Sequence, residues 1–380
     1  MNDSVPHPSD REDGLLASYA MHSNDSLGRK HPESTHAYRG PFQRDRDRIL
    51  HCSAFRRLAG KMQVFTGDMG DYHRTRLTHT FEVASIARTI GRVLRLNEDL
   101  IEALALMHDI GHPPYGHCGE DVLHDCMRQA GGFSHNQFAL TIVEDLEQRF
   151  NRFSGLNLSA EVLAGQTARA NKHQPANVTA PLLEVQVVDA ADSMAYDAHD
   201  IDDAVQLGLL TIEELARVPL VERALRSIEA KYRNLPPKQL RPALVHELVD
   251  LQVSNFLEFN IPRIHAAQGK TAAEVREEGL RVEEDESFRS ERRELEKFLF
   301  DNIYRHSRLL EIRRSAGQRL EQLHSRLVDQ PDRLPLRFRQ RASSVGPIRA
   351  VGEYIAGMTD RFCDLQHEYL FSGAGPLADW

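Results

Sequence analysis

The chain has 380 residues, a formal net charge of −9, 41% hydrophobic and 27% charged residues, a balance that fits a globular protein and excludes the disordered and fibrous classes. The acidic excess argues against nucleic-acid binding driven by bulk charge, although a local basic patch can still hold a polyanion. The most apolar stretch, Leu100 to Met107, interrupted by Glu102, is too short to span a bilayer, and the polar N-terminus lacks the apolar stretch of a signal peptide, so a cytoplasmic protein without membrane contact is expected.

Residues 1–38 are rich in Ser, Asp, His, Pro and Arg with little apolar periodicity and read as a flexible lead-in. Folding proper starts near Pro41. A basic cluster follows: Arg44, Arg46, Arg48, Arg56, Arg57 and Lys61, then Arg74 and Arg76. In an acidic chain it reads as a phosphate clamp. Asp45 and Asp47 keep a salt-bridge reading equally open for Arg44 to Arg48. The one strand signal is a short hairpin near Met62 to Phe65.

From Val83 the apolar positions Val83, Ile86, Ala87, Ile90, Val93 and Leu94 follow helical spacing, with Thr78 as a nearby cap. The stretch from Glu98 to Asp109 is apolar nearly all round, which marks a helix buried mid-fold, and Gly111, Pro113 and Pro114 stop it. Further helices are predicted over 135–150, 159–170, 181–206, 211–231, 241–257, 285–314, 316–328 and 345–371. Breaks are expected at Leu235-Pro236-Pro237, around Gly269 and across Asp329 to Pro347. The charged segment Glu274 to Lys297 reads as a solvated helix face. Four scattered cysteines, Cys52, Cys118, Cys126 and Cys363, form no CxxC pair and read as reduced packing residues. The fold class is therefore all-α.

His108 and Asp109 close the most buried predicted helix, where the negative end of the helix dipole favours a cation. A charged carboxylate buried there needs a partner or a metal. His79 lies four residues before Val83 and shares its inward face. One inward histidine is usually a satisfied core residue; two, with an adjacent aspartate, point to a metal centre. Along the helix around Val185 to Asp203, Val188, Asp192, Tyr196 and Asp200 recur every four residues, and Asp189 lies on nearly the same face. Spacing alone does not say which aspartate is the ligand. The run HDIGHPPYGHCGE, residues 108–120, adds His112, His117 and Glu120 as acid/base groups on a loop that backbone lets approach a ligand closely. Arg76, three residues before His79, is the best-placed phosphate contact.

The segments HCSAFRRLAGKMQVF, RLTHTFEVA, ALALMHDIGHPPYGHCGED, FSHNQ, VVDAADSMAYDAHDIDD and VGEYIAGMTDRF, in that order, resemble the landmarks of bacterial deoxyguanosinetriphosphate triphosphohydrolase-like proteins, over about Arg39 to Phe371. The resemblance implies an all-α HD fold binding one divalent metal through His79, His108, Asp109 and Asp192, the last chosen over Asp189 by its DSMAY motif. It implies His117 and Glu120 as the catalytic histidine and acid, with His112 where some members have His and others Asn. It implies Tyr196 and Asp200 against the sugar and its 3′-hydroxyl, Arg76 on phosphate, and Arg57, Leu58 and Gln63 along sugar and base.

The implied reaction converts a deoxynucleoside triphosphate to deoxynucleoside and inorganic triphosphate. Mg²⁺ or Mn²⁺ is the first expectation for the metal, with Fe, Co, Ni or Zn also compatible with two nitrogen and two carboxylate ligands. A homo-oligomer and an allosteric nucleotide are implied by resemblance alone. The expected organisation is a catalytic core over 39–230, a C-terminal helical region over 231–371 that completes the nucleotide site, and a tail over 372–380. The rival readings are an HD enzyme acting on another nucleotide phosphate ester, and a non-catalytic nucleotide-binding regulator.

Overall fold

The computed structural model describes residues 8–63, 74–172, 179–232 and 235–372. Among them the only β structure is three isolated bridges, so the chain is all-α. No described helix is long and apolar enough to cross a membrane. One bridge joins Met62 to Thr75 at the foot of the predicted hairpin; the rest of that hairpin, from residue 64, lies outside the described residues.

The centre is made by three helices: Arg76–Val93, Glu98–Met107 and Leu183–Gln206, which pack on one another. The first begins at a capping box. Thr75, not Thr78, is the cap; its side chain accepts from the Thr78 amide while the Thr78 hydroxyl accepts from the Thr75 amide. Asn97 caps the second helix, and seven of the ten residues that follow are buried, as expected for an apolar segment with no solvent face.

The third helix runs through two hydrophobic cores. Ala191, Met194 and Ala195 belong to the main core, while Ala198, Ile201 and Ala204 belong to a second one built with Pro219–Lys231, Pro237–His265 and Glu286–Leu299. That second core therefore draws on residues either side of position 230.

Several predicted boundaries move for identifiable reasons. The helix predicted over 211–231 is split at Pro219, which starts its second part, and that over 345–371 is split at Gly357 into Pro347–Ala356 and Asp360–Ser372. The 285–314 helix ends in a π-turn at Phe300–Tyr304, and the next helix, Ser307–Asp329, starts earlier than expected. Within the expected break from Asp329 to Pro347 lies the helix Leu336–Val345; its bounding prolines occupy cap and first-turn positions, where a missing N–H costs nothing.

Within the lead-in, residues 17 to 21 pack on the central helices. Ala17, Tyr19, Ala20 and Met21 are buried, the Tyr19 hydroxyl donates to the Leu94 carbonyl at 3.0 Å, and Glu184 accepts from the Met21 amide at 2.9 Å. Apolar periodicity is missing there because the segment is held by single anchors, not by a helix face. Replacing one such anchor, Tyr19→Ala, is expected to lower stability by about 3–5 kcal/mol. Urea unfolding followed by circular dichroism measures this, and an unchanged midpoint would mean the segment is not docked.

Candidate metal centre and acid/base cluster

His79 sits in the first turn of its helix, on the buried face with Arg76, Thr80 and Val83. His108 is the C-cap of Glu98–Met107, and its Nδ1 donates to the Ala105 carbonyl at 2.6 Å. That bond fixes the proton on Nδ1 and leaves Nε2 as a buried lone pair with no hydrogen-bond partner. Asp192 approaches from Leu183–Gln206. Its Oδ1 lies 3.1 Å from His79 Nε2 and 3.6 Å from His108 Nε2. The donor atoms of these three residues lie within 4.8 Å of one another.

Asp109 stands beside them, with Oδ1 3.6 Å from His108 Nε2. Nitrogen and carboxylate lone pairs converging in a buried space repel unless a proton or a cation lies between them, so a divalent cation fits this donor set. Asp189 does not join the group. Arg169 pairs with both aspartates, holding Asp189 aside and taking Oδ2 of Asp192 at 2.7 Å, so that Oδ1 alone faces the histidines.

Neighbouring imidazoles and guanidinium groups keep both aspartates ionised. Burial alone would raise Asp109, but His112, Arg76 and His108 more than offset it and hold its carboxyl well below the usual range. For Asp192 the same burial is outweighed by His108, His79 and Arg169. Arg76 is fully buried and donates to Asp109 Oδ2 at 2.9 Å, so it reaches the centre through a ligand candidate. Four more arginines of the predicted phosphate clamp pair with acids. Arg44 and Arg48 share Glu33, Arg46 meets Asp47 and Glu102, and Arg74 meets Glu82 and Asp202.

A second cluster adjoins the first. His112, His117 and Glu120 bring ligand-type atoms within 4.8 Å. Glu120 accepts from the His135 amide at 2.9 Å and lies 2.8 Å from His135 Nδ1, while the His135 ring stacks on His112 at 3.7 Å. Burial of Glu120 is outweighed by the nearby His117 ring and the hydrogen-bonded His135, which hold its carboxyl far below the usual range. His117 is the exposed member, with 58% of its side chain accessible and Nδ1 3.9 Å from Glu120. His135 has no role in the sequence reading beyond its place in FSHNQ. The signal for it is the pairing with Glu120, which no spacing reveals. Gly111 permits the contact, since a Cβ there would meet the His135 carbonyl at 2.0 Å.

The loop itself is clasped from the C-terminal side. Lys61 Nζ donates to the carbonyls of His112 (2.5 Å) and Ala356 (2.9 Å), and Asp360 accepts the amides of Met62 (3.1 Å) and Tyr115 (3.0 Å). Tyr115 and Gly116 both have positive φ, 61° and 60°, a costly conformation for tyrosine that the Asp360 bond supports.

The remaining predicted residues divide. Tyr196 and Asp200 lie one and two turns beyond Asp192 and meet Tyr304, which sequence reasoning missed. The Tyr196 and Tyr304 rings are parallel at 6.3 Å, their hydroxyls are bonded, and the Tyr304 hydroxyl donates to Asp200. Gln63 is buried with its Oε1 unpartnered, Leu58 is fully buried in the core, and Arg57 donates to Ser53 Oγ at 3.1 Å.

Two family models match this chain: the HD domain over residues 76–197 and the phosphohydrolase-associated domain over 282–369. With the buried histidine–aspartate centre, they define an HD-type phosphohydrolase. The deoxyguanosinetriphosphate triphosphohydrolase-like proteins of Ralstonia nicotianae and Geobacter sulfurreducens are each 41% identical to it, over 97% and 94% of this chain and 98% and 95% of their own. That of Bordetella pertussis is 40% identical over 94% of this chain and 96% of its own. The chain belongs to the deoxyguanosinetriphosphate triphosphohydrolase-like family.

Burial pushes the Asp200 carboxyl up to about 7 against the opposing Tyr304 bond, from an ordinary 3.8. The folded chain then keeps a proton that the unfolded chain releases, so this group's contribution to stability falls as pH rises from 3.8 to about 7. Asp200→Asn cannot ionise. Its urea midpoint relative to wild type is expected to rise between pH 5 and pH 8, and a constant difference would mean that the carboxyl titrates normally.

Proposed function

We infer that this chain hydrolyses deoxynucleoside triphosphates to deoxynucleoside and inorganic triphosphate, using a divalent cation held by His79, His108, Asp109 and Asp192. The observation that carries the reading is the pair of adjoining clusters: a buried set of lone pairs that needs a cation, and beside it an exposed histidine backed by an ionised acid. The relatives are named for their likeness to a deoxyguanosinetriphosphate triphosphohydrolase, which supports the reading. When bound, the cation would supply Lewis-acid charge against a phosphate oxygen.

The protein's own groups do the rest. Glu120, anchored by His135, keeps its charge and orients His117, whose accessible ring can accept a proton from the attacking water or deliver one to the leaving oxygen. Asp200 offers an acceptor for the sugar 3′-hydroxyl, the role its Oδ2 already fills for the Tyr304 hydroxyl. The parallel rings of Tyr196 and Tyr304 form an aromatic wall that would pack on a deoxyribose. Arg76 steadies Asp109, and its charge adds to that set against the triphosphate.

The test is a product assay. Metal-stripped protein receives Mg²⁺ or Mn²⁺ with each deoxynucleoside triphosphate and its ribose counterpart, and products are separated by chromatography. Deoxynucleoside and triphosphate are expected. Asp192→Ala should abolish turnover, and His117→Ala should lower kcat by about 10²–10⁴-fold. Monophosphate or orthophosphate products, or equal turnover of ribonucleotides, would replace this reading with another phosphohydrolase activity.

A further inference from the structure

His199 lies three residues beyond Tyr196 and seven beyond Asp192, two helical turns along the same helix and therefore on nearly the same side as the proposed ligand. It is buried, and each of its ring nitrogens has one defined neighbour. Nε2 is 2.8 Å from Glu82 Oε2, and Nδ1 is 3.3 Å from His79 Nδ1, with the two rings at 82°. Glu82 is three residues after His79 on Arg76–Val93, so the facing helices present a matched pair, Asp192 with His199 and His79 with Glu82. Arg74 closes the line at its outer end, donating to Glu82 at 2.7 Å and to Asp202 at 2.9 Å.

The protons in this line are determined by what each atom can do. An ionised carboxylate only accepts, so His199 Nε2 carries a proton and donates it to Glu82. In the neutral ring Nδ1 is then a lone pair, and its neighbour, His79 Nδ1, must be the donor. A neutral His79 protonated on Nδ1 has its lone pair on Nε2, the atom that faces Asp192 and His108. His108 reaches the same tautomer by a shorter route, through the Ala105 carbonyl.

We propose that His199 is the positioning residue of the metal centre, holding His79 in the tautomer and orientation that present Nε2 to the cation, with Glu82 and Arg74 holding His199 in turn. This rests on the metal centre inferred above. A carboxylate-backed imidazole also raises the basicity of the nitrogen it supports. The effect falls on the nitrogen ligand, so it strengthens binding of Mn²⁺, which accepts imidazole, more than that of Mg²⁺, which favours oxygen and retained water.

The experiment reads metal binding and needs no turnover. Chelator-stripped full-length protein is titrated with Mn²⁺, following the free ion by electron paramagnetic resonance, with circular dichroism to confirm the fold. His199→Leu is expected to weaken Mn²⁺ about ten- to a hundredfold. His199→Asn, whose side-chain oxygen branches at the same distance from the backbone as Nδ1, is expected to recover most of the loss. Glu82→Ala, on a side chain 43% exposed and so safe for folding, should weaken Mn²⁺ in the same direction and serves if the leucine variant does not fold. Wild-type protein that binds no Mn²⁺ overturns the metal centre itself. Wild-type binding that Glu82→Ala and His199→Leu leave unchanged, or an asparagine variant no better than leucine, overturns the role of His199 alone.

Discussion

His79 Nε2 and Asp192 Oδ1 face each other at 3.1 Å between two packed helices, and two lone pairs stay that close only with a proton or a cation between them. Much of the surrounding chemistry follows from this. Arg169 takes the outer oxygen of Asp192, Arg76 takes one of Asp109, and His112 stands 2.9 Å from the other. The imidazoles and guanidinium groups around them keep the carboxylates ionised where burial would protonate them, so the proposed ligands carry their charge without an ion. Each proposed ligand also has an outer partner that orients it, the usual condition for a tight and selective metal site.

The helix Leu183–Gln206 organises what surrounds that pair. Its four-residue rhythm puts Asp192, Tyr196 and Asp200 along one stripe, while a seven-residue step brings His199 back beneath the metal side. Because it threads both hydrophobic cores, Asp192 is set by packing in one core and Asp200 lies among contacts of the other. Metal ligand and proposed sugar contact therefore share one rigid rod and keep their spacing whatever the loops around them do.

Parts of this were legible in the sequence because they are local. The His-Asp pair at the end of an apolar helix, the inward phase of His79 and the stripe from Asp192 to Asp200 all follow from helical periodicity. What was not legible depends on residues far apart in the chain. Glu33 neutralises Arg44 and Arg48, His135 anchors Glu120, and Tyr304 meets Asp200. Composition near Arg44 to Arg48 could not separate a phosphate clamp from an ion-pair network, because the decisive acid is Glu33, in a segment that lacks apolar periodicity. Spacing left Asp189 and Asp192 open because their shared partner, Arg169, lies about twenty residues upstream on another helix.

The clasp made by Lys61 and Asp360 has a consequence for how the protein comes into being. Asp360 secures the left-handed turn at Tyr115, yet it is translated some 245 positions later. A growing chain on the ribosome therefore has all four proposed metal ligands long before it has the carboxylate that locks the catalytic loop. Unfinished chains hold the proposed ligands without the bond that secures the turn before His117 and Glu120, and that turn is fixed only as the last helices emerge and dock.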